Sequence, residues 1–235
     1  MIVSFSNRYQ ISSASQGVTA YAKSKSQEEL KEQSISYYSP AFYYPVSFGA
    51  KTLYRGLTLI KKDEDQNTSK IPAKVSLLTS GNRADYNKMA RLSEDWSDTK
   101  LGPEIAEAYM YDENDNLRTF VMEEDKYPVG NRILSAATVL QANNIYTLEY
   151  LQAAPEIVEN HDIKGAGELL LYAVVKDAQK NKADSLVLYP YDSLFSYYKH
   201  IGLHPMEYAG SYGLKSNEFN KFLKRVEKRY SFSST

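Results

Sequence analysis

The stretch HDIKGAGELLLYAVVKDA, residues 161–178, constrains the fold more than any other. Two glycines one residue apart interrupt whatever precedes them, because glycine gives up regular structure at little cost and tolerates backbone angles that other residues avoid. Directly after them Leu170, Leu171, Val174, Val175 and Ala178 recur at helical spacing, which predicts a core helix starting at the glycine turn. The N-terminus of such a helix has unsatisfied N–H groups and a positive dipole end. It can therefore bind an anion wherever the backbone is left uncovered. The bland alternative is a loop that needs two small residues. The dinucleotide pattern G-x-G-x-x-G is not met, since Leu170 stands at its last position, and no Walker pattern is present.

Around this helix the chain alternates strand and helix signals. AKVSLLT (73–79) reads as a strand and NRADYNKMARLSEDW (82–96) as a helix with Tyr86, Met89, Leu92 and Trp96 on one side. EIAEAYMYDENDNLRTFVME reads as a hairpin turning at DENDN. ILSAATVLQ and IYTLEYLQAA flank Asn143-Asn144. Asparagine accepts the positive φ of a tight turn, so this is a second hairpin. In its second strand Tyr146, Leu148, Tyr150 and Gln152 alternate with Thr147, Glu149 and Leu151. ADSLVLYP (183–190) is a strand, DSLFSYYKHIG (192–202) a short helix stopped by Gly202, and MEYAGSYGLK holds a last strand. The tail SNEFNKFLKRVEKRY is a basic helix with Phe219, Phe222, Leu223 and Val226 on one face. Residues 1–72 read as an irregular extension containing the tyrosine pairs Tyr37-Tyr38 and Tyr43-Tyr44 and the polar loop KKDEDQNTSK. Three segments result: a Tyr-rich extension (1–72), an α/β domain (73–215) and a basic C-terminal helix and tail (216–235).

Composition narrows the chemistry. The 235 residues contain no cysteine, which removes disulfides, thiolate metal sites and a cysteine nucleophile, and fits a reducing compartment. A net charge of −1 gives no overall attraction to nucleic acid or an anionic membrane surface. No run approaches the roughly 20 apolar residues of a membrane span, and MIVSFSNRYQ lacks the pattern of a secretory signal. The expectation is a cytoplasmic protein. His161, His200 and His204 show no metal-ligand spacing, so no metal is assigned, and His200 is placed on the surface of its helix.

The segment from the second hairpin strand through LFSYYKHIGL resembles the GNAT N-acetyltransferase superfamily. The likeness spans residues 73–215 and is sharp over 145–205. The family segment (Q/R)-x-x-G-x-(G/A) is matched by Asp162-Ile163-Lys164-Gly165-Ala166-Gly167, and its later aromatic pair before Lys-x-x-Gly by Tyr197-Tyr198-Lys199-His200-Ile201-Gly202. There are departures. Asp162 replaces Gln or Arg, and its carboxylate would either cap the helix or point to solvent. The loop from Pro155 to Asp162 is long and acidic, and Tyr191 stands near the place of the usual Asn.

The resemblance implies an α/β (α+β) fold with a mixed, mostly antiparallel central sheet flanked by helices. It implies an enzyme that moves an acetyl group from acetyl-CoA to a primary amine of a small molecule or a protein. Ile163, Lys164, Gly165, Ala166, Gly167 and Glu168 would hold the pyrophosphate, and backbone N–H groups at Gln152 and Ala153 would polarise the thioester carbonyl where the strand splays. Tyr198 would protonate the leaving thiol, a role suited to a phenol with pKa near ~10; the alternative is a ring that only packs under the cofactor. Glu149 is the candidate base, or else an exposed strand carboxylate, and Tyr197 is assigned to the core. The Tyr-rich segment covers the acceptor groove or forms a homodimer surface. Asp112, Glu113 and Asp115 read as a solvated hairpin, and the basic tail as a solvated helix.

Two other functions compete. One is a GNAT-like module that binds CoA without turnover. The other is a mono-ADP-ribosyltransferase, suggested by TLYRGLTL (52–59) and SFSST (231–235). That pattern lacks a downstream Glu-x-Glu and has too long a gap between its parts.

Overall fold

Strand and helix signals alternate along the sequence because one sheet is wrapped by helices on both faces. In the computed structural model the described residues are 2–4, 50–62, 67–79, 82–99, 101–110, 116–125 and 132–230. All of them belong to one compact unit. The described strands are β1 (Ile2–Ser4), β2 (Lys51–Lys62), β3 (Thr68–Leu77), β4 (Leu117–Glu124), β5 (Ile133–Ala142), β6 (Ile145–Ala153), β7 (Ile163–Lys164), β8 (Ser185–Leu188), β9 (His204–Pro205) and β10 (Tyr212–Lys215). They form a single sheet in the order β7-β2-β3-β4-β5-β6-β8-β10-β9, with β1 paired to β6. Only β6 and β8 run parallel; the other neighbours are antiparallel. The fold is thus the expected mixed, mostly antiparallel sheet with flanking helices. In β4 the run Phe120–Glu124 and in β5 the run Leu134–Val139 are buried without alternation, which requires cover on both faces of the sheet.

The helices are α1 (Arg83–Asp95), α2 (Leu101–Met110), α3 (Pro155–Asn160), α4 (Ala166–Lys180), α5 (Phe195–Ile201) and α6 (Ser216–Arg229). Asn82 caps α1 by accepting from the N–H groups of Ala84 (2.9 Å) and Asp85 (3.1 Å). Met89, Leu92 and Trp96 face the core as expected, but Tyr86 is exposed. The inward residue of that turn is Asp85, whose carboxylate accepts from the N–H groups of Thr79 (3.0 Å) and Ala50 (3.3 Å).

Residues 101–110 are helix α2, not the first arm of a hairpin. Thr99 Oγ1 accepts from Gly102 N–H at 3.0 Å and starts the helix, and Ile105, Ala106 and Tyr109 are buried at helical spacing. Gly102 is needed for this close approach, since a Cβ there would stand 2.5 Å from Trp96 Cβ. The turn DENDN lies outside the described residues, as do Asp112, Glu113, Asp115 and the tyrosine pairs at 37–38 and 43–44.

The expected boundary at residue 72 falls inside β3, whose partner β2 begins at Lys51. Of the polar run expected as a loop at 61–70, Lys61 and Lys62 end β2 and Thr68, Ser69 and Lys70 begin β3, with Lys62 opposite Thr68. The C-terminal boundary also dissolves. Phe219, Phe222, Leu223 and Val226 of α6 are buried as expected, and α6 lies against α4. The Asn143-Asn144 turn is as expected, with φ of 48° and 60° and Ala142 paired to Ile145.

Helix α4 is buried far beyond the predicted stripe. Leu169 through Val175 are all inaccessible or nearly so, the signature of a helix covered on every side. Its C-terminal half is tied to the sheet by Asp177, which accepts from Arg118 Nε (2.7 Å) and Nη2 (2.9 Å) and from the Tyr146 hydroxyl (3.0 Å). This is a bidentate, nearly buried ion pair, and removing one partner strands the other charge. Arg118→Met should therefore lower unfolding free energy by roughly 3 kcal/mol, read from urea denaturation.

Candidate active site at the N-terminus of helix α4

The glycine turn opens onto a cavity of about 480 Å³. Its base is the first turn of α4. Gly165 is the N-cap residue, at φ 98°, and no side chain caps the helix. The first helical bond runs from Leu169 N–H to Gly165 O at 2.8 Å. The N–H groups of Ala166, Gly167 and Glu168 precede that bond, and these residues line the cavity. The two glycines serve different ends. A Cβ on Gly165 would stand 2.5 Å from the ring of Tyr230, so this glycine makes room for the chain just after α6. A Cβ on Gly167 would meet nothing closer than the Tyr197 hydroxyl at 3.7 Å, so this glycine leaves open space on the cavity side.

Strand β6 reaches the cavity through a β-bulge. Thr138 pairs with Tyr150 and Val139 with Leu148, which leaves Glu149 as the extra residue. Before the bulge Tyr146 and Leu148 are the buried positions; after it Leu151 and Ala153 line the cavity. The even-numbered alternation expected along this strand therefore breaks at Glu149. The acidic loop expected at 155–162 is instead the short helix α3, begun by Pro155, and its Ile157 and Val158 give the cavity an apolar wall.

Helix α5 brings Tyr197 and Tyr198 to the cavity. It ends at Gly202, φ 92°, whose N–H bonds the carbonyls of Tyr198 and Lys199. Tyr198 lines the cavity at 0% exposure, and its hydroxyl has no hydrogen-bond partner. Burial, reinforced by Tyr197, pushes its pKa well above the ordinary 10.0. Tyr197 is half-buried and also lines the cavity, so it is not simply a core residue. The two rings meet edge to face, 5.2 Å between centroids.

The other expected residues divide. Ile163, Lys164, Gly165, Ala166, Gly167, Glu168, Ala153 and Tyr198 come together around the cavity, while Glu149 and Gln152 are not among its lining residues. Glu149 is half-buried, and burial raises the pKa of its carboxyl. The Gln152 side chain is buried with both amide atoms unpartnered. Nor does the strand simply splay open there. Parallel pairing with β8 ends at Leu148, but Ile2–Ser4 pair with Tyr150–Gln152 just beyond it. Asp162 neither caps α4 nor points freely to solvent. It lies 3.4 Å from Lys61 Nζ, and its carbonyl accepts from Lys62 N–H at 2.7 Å.

Two residues at the turn were not foreseen. Glu168 Oε1 and Oε2 each accept from Arg229 Nη1 at 2.8 Å, and Oε2 accepts from the Tyr230 hydroxyl at 2.8 Å. The Glu168 side chain is thus committed to α6, leaving only its backbone N–H for a ligand. Helical spacing carried a faint signal, since Tyr230 continues the Phe222–Val226 face by four residues. Among the described residues no cluster of three or more His, Asp or Glu could hold a metal ion, and no helix is long and apolar enough to cross a membrane.

No protein-family model matches the chain, and neither does any curated protein. The chain does resemble solved structures of GNAT acetyltransferases in fold. One is a GNAT-family acetyltransferase from Brucella melitensis in complex with acetyl-CoA (16% identity, 60% of this chain and 87% of that chain, TM-score 0.43). Another is a GNAT-family acetyltransferase from Staphylococcus aureus MU50 (13% identity, 60% and 99%, TM-score 0.39). A third is the ribosomal-protein-S18-alanine N-acetyltransferase of Escherichia coli (12% identity, 59% and 88%, TM-score 0.39).

The two glycines should separate in a stability assay. Gly165→Ala forces a side chain into a left-handed conformation and against Tyr230, costing about 1–2 kcal/mol or more. Gly167→Ala should be neutral or mildly stabilising. Urea melts of the two variants check both.

Proposed function

We propose that the chain is an acyl-CoA-dependent N-acyltransferase that moves an acetyl group from acetyl-CoA to a primary amine. The observation that carries this reading is the unpartnered, fully buried Tyr198 hydroxyl in the same cavity as the uncapped N-terminus of α4. A buried hydroxyl without a partner is costly, and an uncapped helix end favours an anion. One ligand with a diphosphate at one end and a reacting thioester at the other satisfies both. The residues present fit such a ligand: the backbone of Ala166, Gly167 and Glu168 takes the diphosphate, Lys164 and Ile163 flank it, and Ala153 lies on the thioester side. Acetyl-CoA, when bound, supplies the activated acyl group, and coenzyme A leaves as the thiol.

In this reading the protein's own groups do three things. The apolar wall of Leu151, Ile157 and Val158 excludes water from the thioester arm. Tyr198 donates its proton to the departing thiolate. Its raised pKa keeps the proton on the hydroxyl across the neutral range, so the group is present in its acid form. Glu149 takes the proton from the amine, directly or through water, and its raised pKa moves it towards the working range of a base. The acceptor is a small amine or a protein amine.

A second reading, a CoA-binding module without turnover, is favoured by one feature. Strand β1 occupies the edge of β6 at Tyr150–Gln152, beside the place assigned to the thioester carbonyl.

Gly167→Leu fills the open side of the turn and should abolish acetyl-CoA binding in calorimetry while the thermal melt stays cooperative. Full-strength binding by that variant would sink the assignment. Tyr198→Phe removes a hydroxyl that bonds nothing in the protein, so stability should hold or rise. Turnover should fall roughly 10²-fold or more with CoA affinity little changed; unaltered turnover would reduce Tyr198 to packing. The rate–pH profile should rise as Glu149 loses its proton, and Glu149→Gln should remove that limb. A wild-type protein that binds acetyl-CoA but acetylates no amine in a broad amine panel would leave the second reading.

A further inference from the structure

Helix α6 lies outside the stretch that carries the family resemblance, yet it delivers side chains to the glycine turn. Arg225 and Arg229 are one helical turn apart, so they project from the same side of α6. Arg229 is held by both oxygens of Glu168, in the first turn of α4. Arg225 has no such carboxylate. Its Nε and Nη2 are buried without hydrogen-bond partners, and its guanidinium sits over the Phe222 ring, 5.9 Å from the centroid. It packs against the backbone at Gly202, where a Cβ would collide with it. Glu168 and Arg229 are the charges acting on it. Glu168 thus bonds Arg229 alone, with Arg225 within reach of its charge, and of this junction Glu168 and Tyr230, rather than the arginines, line the cavity. The junction keeps a surplus positive charge and unsatisfied donors, both of which call for an anion. The cavity it adjoins also holds the buried, unpartnered Tyr198 hydroxyl.

We propose that Arg225 and Arg229 bind phosphate oxygens of the CoA-type ligand, so that α6 forms the cationic wall of its phosphate site. Glu168 orients Arg229 and offsets its charge while the site is empty. Tyr230 covers the Gly165 side of the turn, so the phosphates approach α4 from the open Gly167 side. The planar guanidinium fork matches phosphate geometry. This inference rests on the acyl-CoA reading and names residues which that reading does not use.

The test is calorimetry on the full chain with coenzyme A, dephospho-coenzyme A and acetyl-pantetheine, which carries the thioester arm and no phosphate. Arg225→Gln and Arg229→Gln should each weaken coenzyme A binding roughly ten-fold or more and leave acetyl-pantetheine unchanged. Equal losses with coenzyme A and dephospho-coenzyme A assign the arginines to the diphosphate. A loss confined to coenzyme A assigns them to the ribose phosphate. If both variants bind coenzyme A as tightly as wild type, or lose acetyl-pantetheine equally, the arginines are structural and the proposal falls. Should Arg225→Gln fail to fold, Arg225→Lys keeps the stem and charge but not the fork, and the same affinity ratio is read from it. Wild-type protein that binds no coenzyme A would overturn the acyl-CoA reading itself, an outcome distinct from unaffected variants.

Discussion

Everything at the site depends on α4 being buried on all sides while its first turn stays uncapped. A helix enclosed by apolar neighbours has no water to satisfy its end groups, so its termini need specific partners. At the C-terminal end donors meet this need, with Asn181 N–H (2.9 Å) and Nδ2 (2.8 Å) on the Asp177 carbonyl and Ala183 N–H on that of Ala178 (2.9 Å), while the Asp177 carboxylate is bound by Arg118 and Tyr146 from two strands. At the N-terminal end no side chain meets it. Instead Glu168 turns away to Arg229 and Tyr230, which pins α6 to α4 and leaves the backbone N–H groups facing a cavity. The two buried carboxylates therefore play unequal parts. One locks the helix to the sheet, and the other keeps the opposite end open.

The bulge at Glu149 is the second constraint. Side chains in a strand alternate strictly, so only an inserted residue can change which parity faces the helix layer. Without it, Leu151 and Ala153 would turn away from α4. With it, the same strand holds Tyr146 against Asp177 near its start and lines the cavity near its end. The bulge also marks where β6 changes neighbours, from β8 up to Leu148 to Ile2–Ser4 from Tyr150 on.

Much of this was legible in the sequence, and the misses have physical causes. The Asn143-Asn144 turn, the helix after the glycines and the Gly202 stop are local events governed by backbone preference, and each was read correctly. Residues 101–110 were misread because the few apolar residues Ile105, Ala106, Ala108, Tyr109 and Met110 fit either period; what settled it was Thr99 capping the helix and Gly102 lying against Trp96. Tyr86 and Asp85 exchanged expected places because Asp85 bonds backbone N–H groups from outside its own helix. Residues 51–62 read as an extension because the charged run after them obscures the antiparallel pairing of β2 with β3.

By itself the sequence determined the α4 turn, the Asn143-Asn144 hairpin and the Gly202 stop, and, through the motif it resembles, the approach of Tyr198 to that turn. These follow from periodicity, turn chemistry and a motif whose residues lie within a few tens of positions of each other. Only the tertiary structure decided that Gly165 makes room for Tyr230 while Gly167 faces open space, that Asp162 pairs with Lys61, and that Arg229 is bound to Glu168. Those pairings join residues up to 101 positions apart. Their energies come from charge and close packing across elements, and no local preference in the chain encodes them.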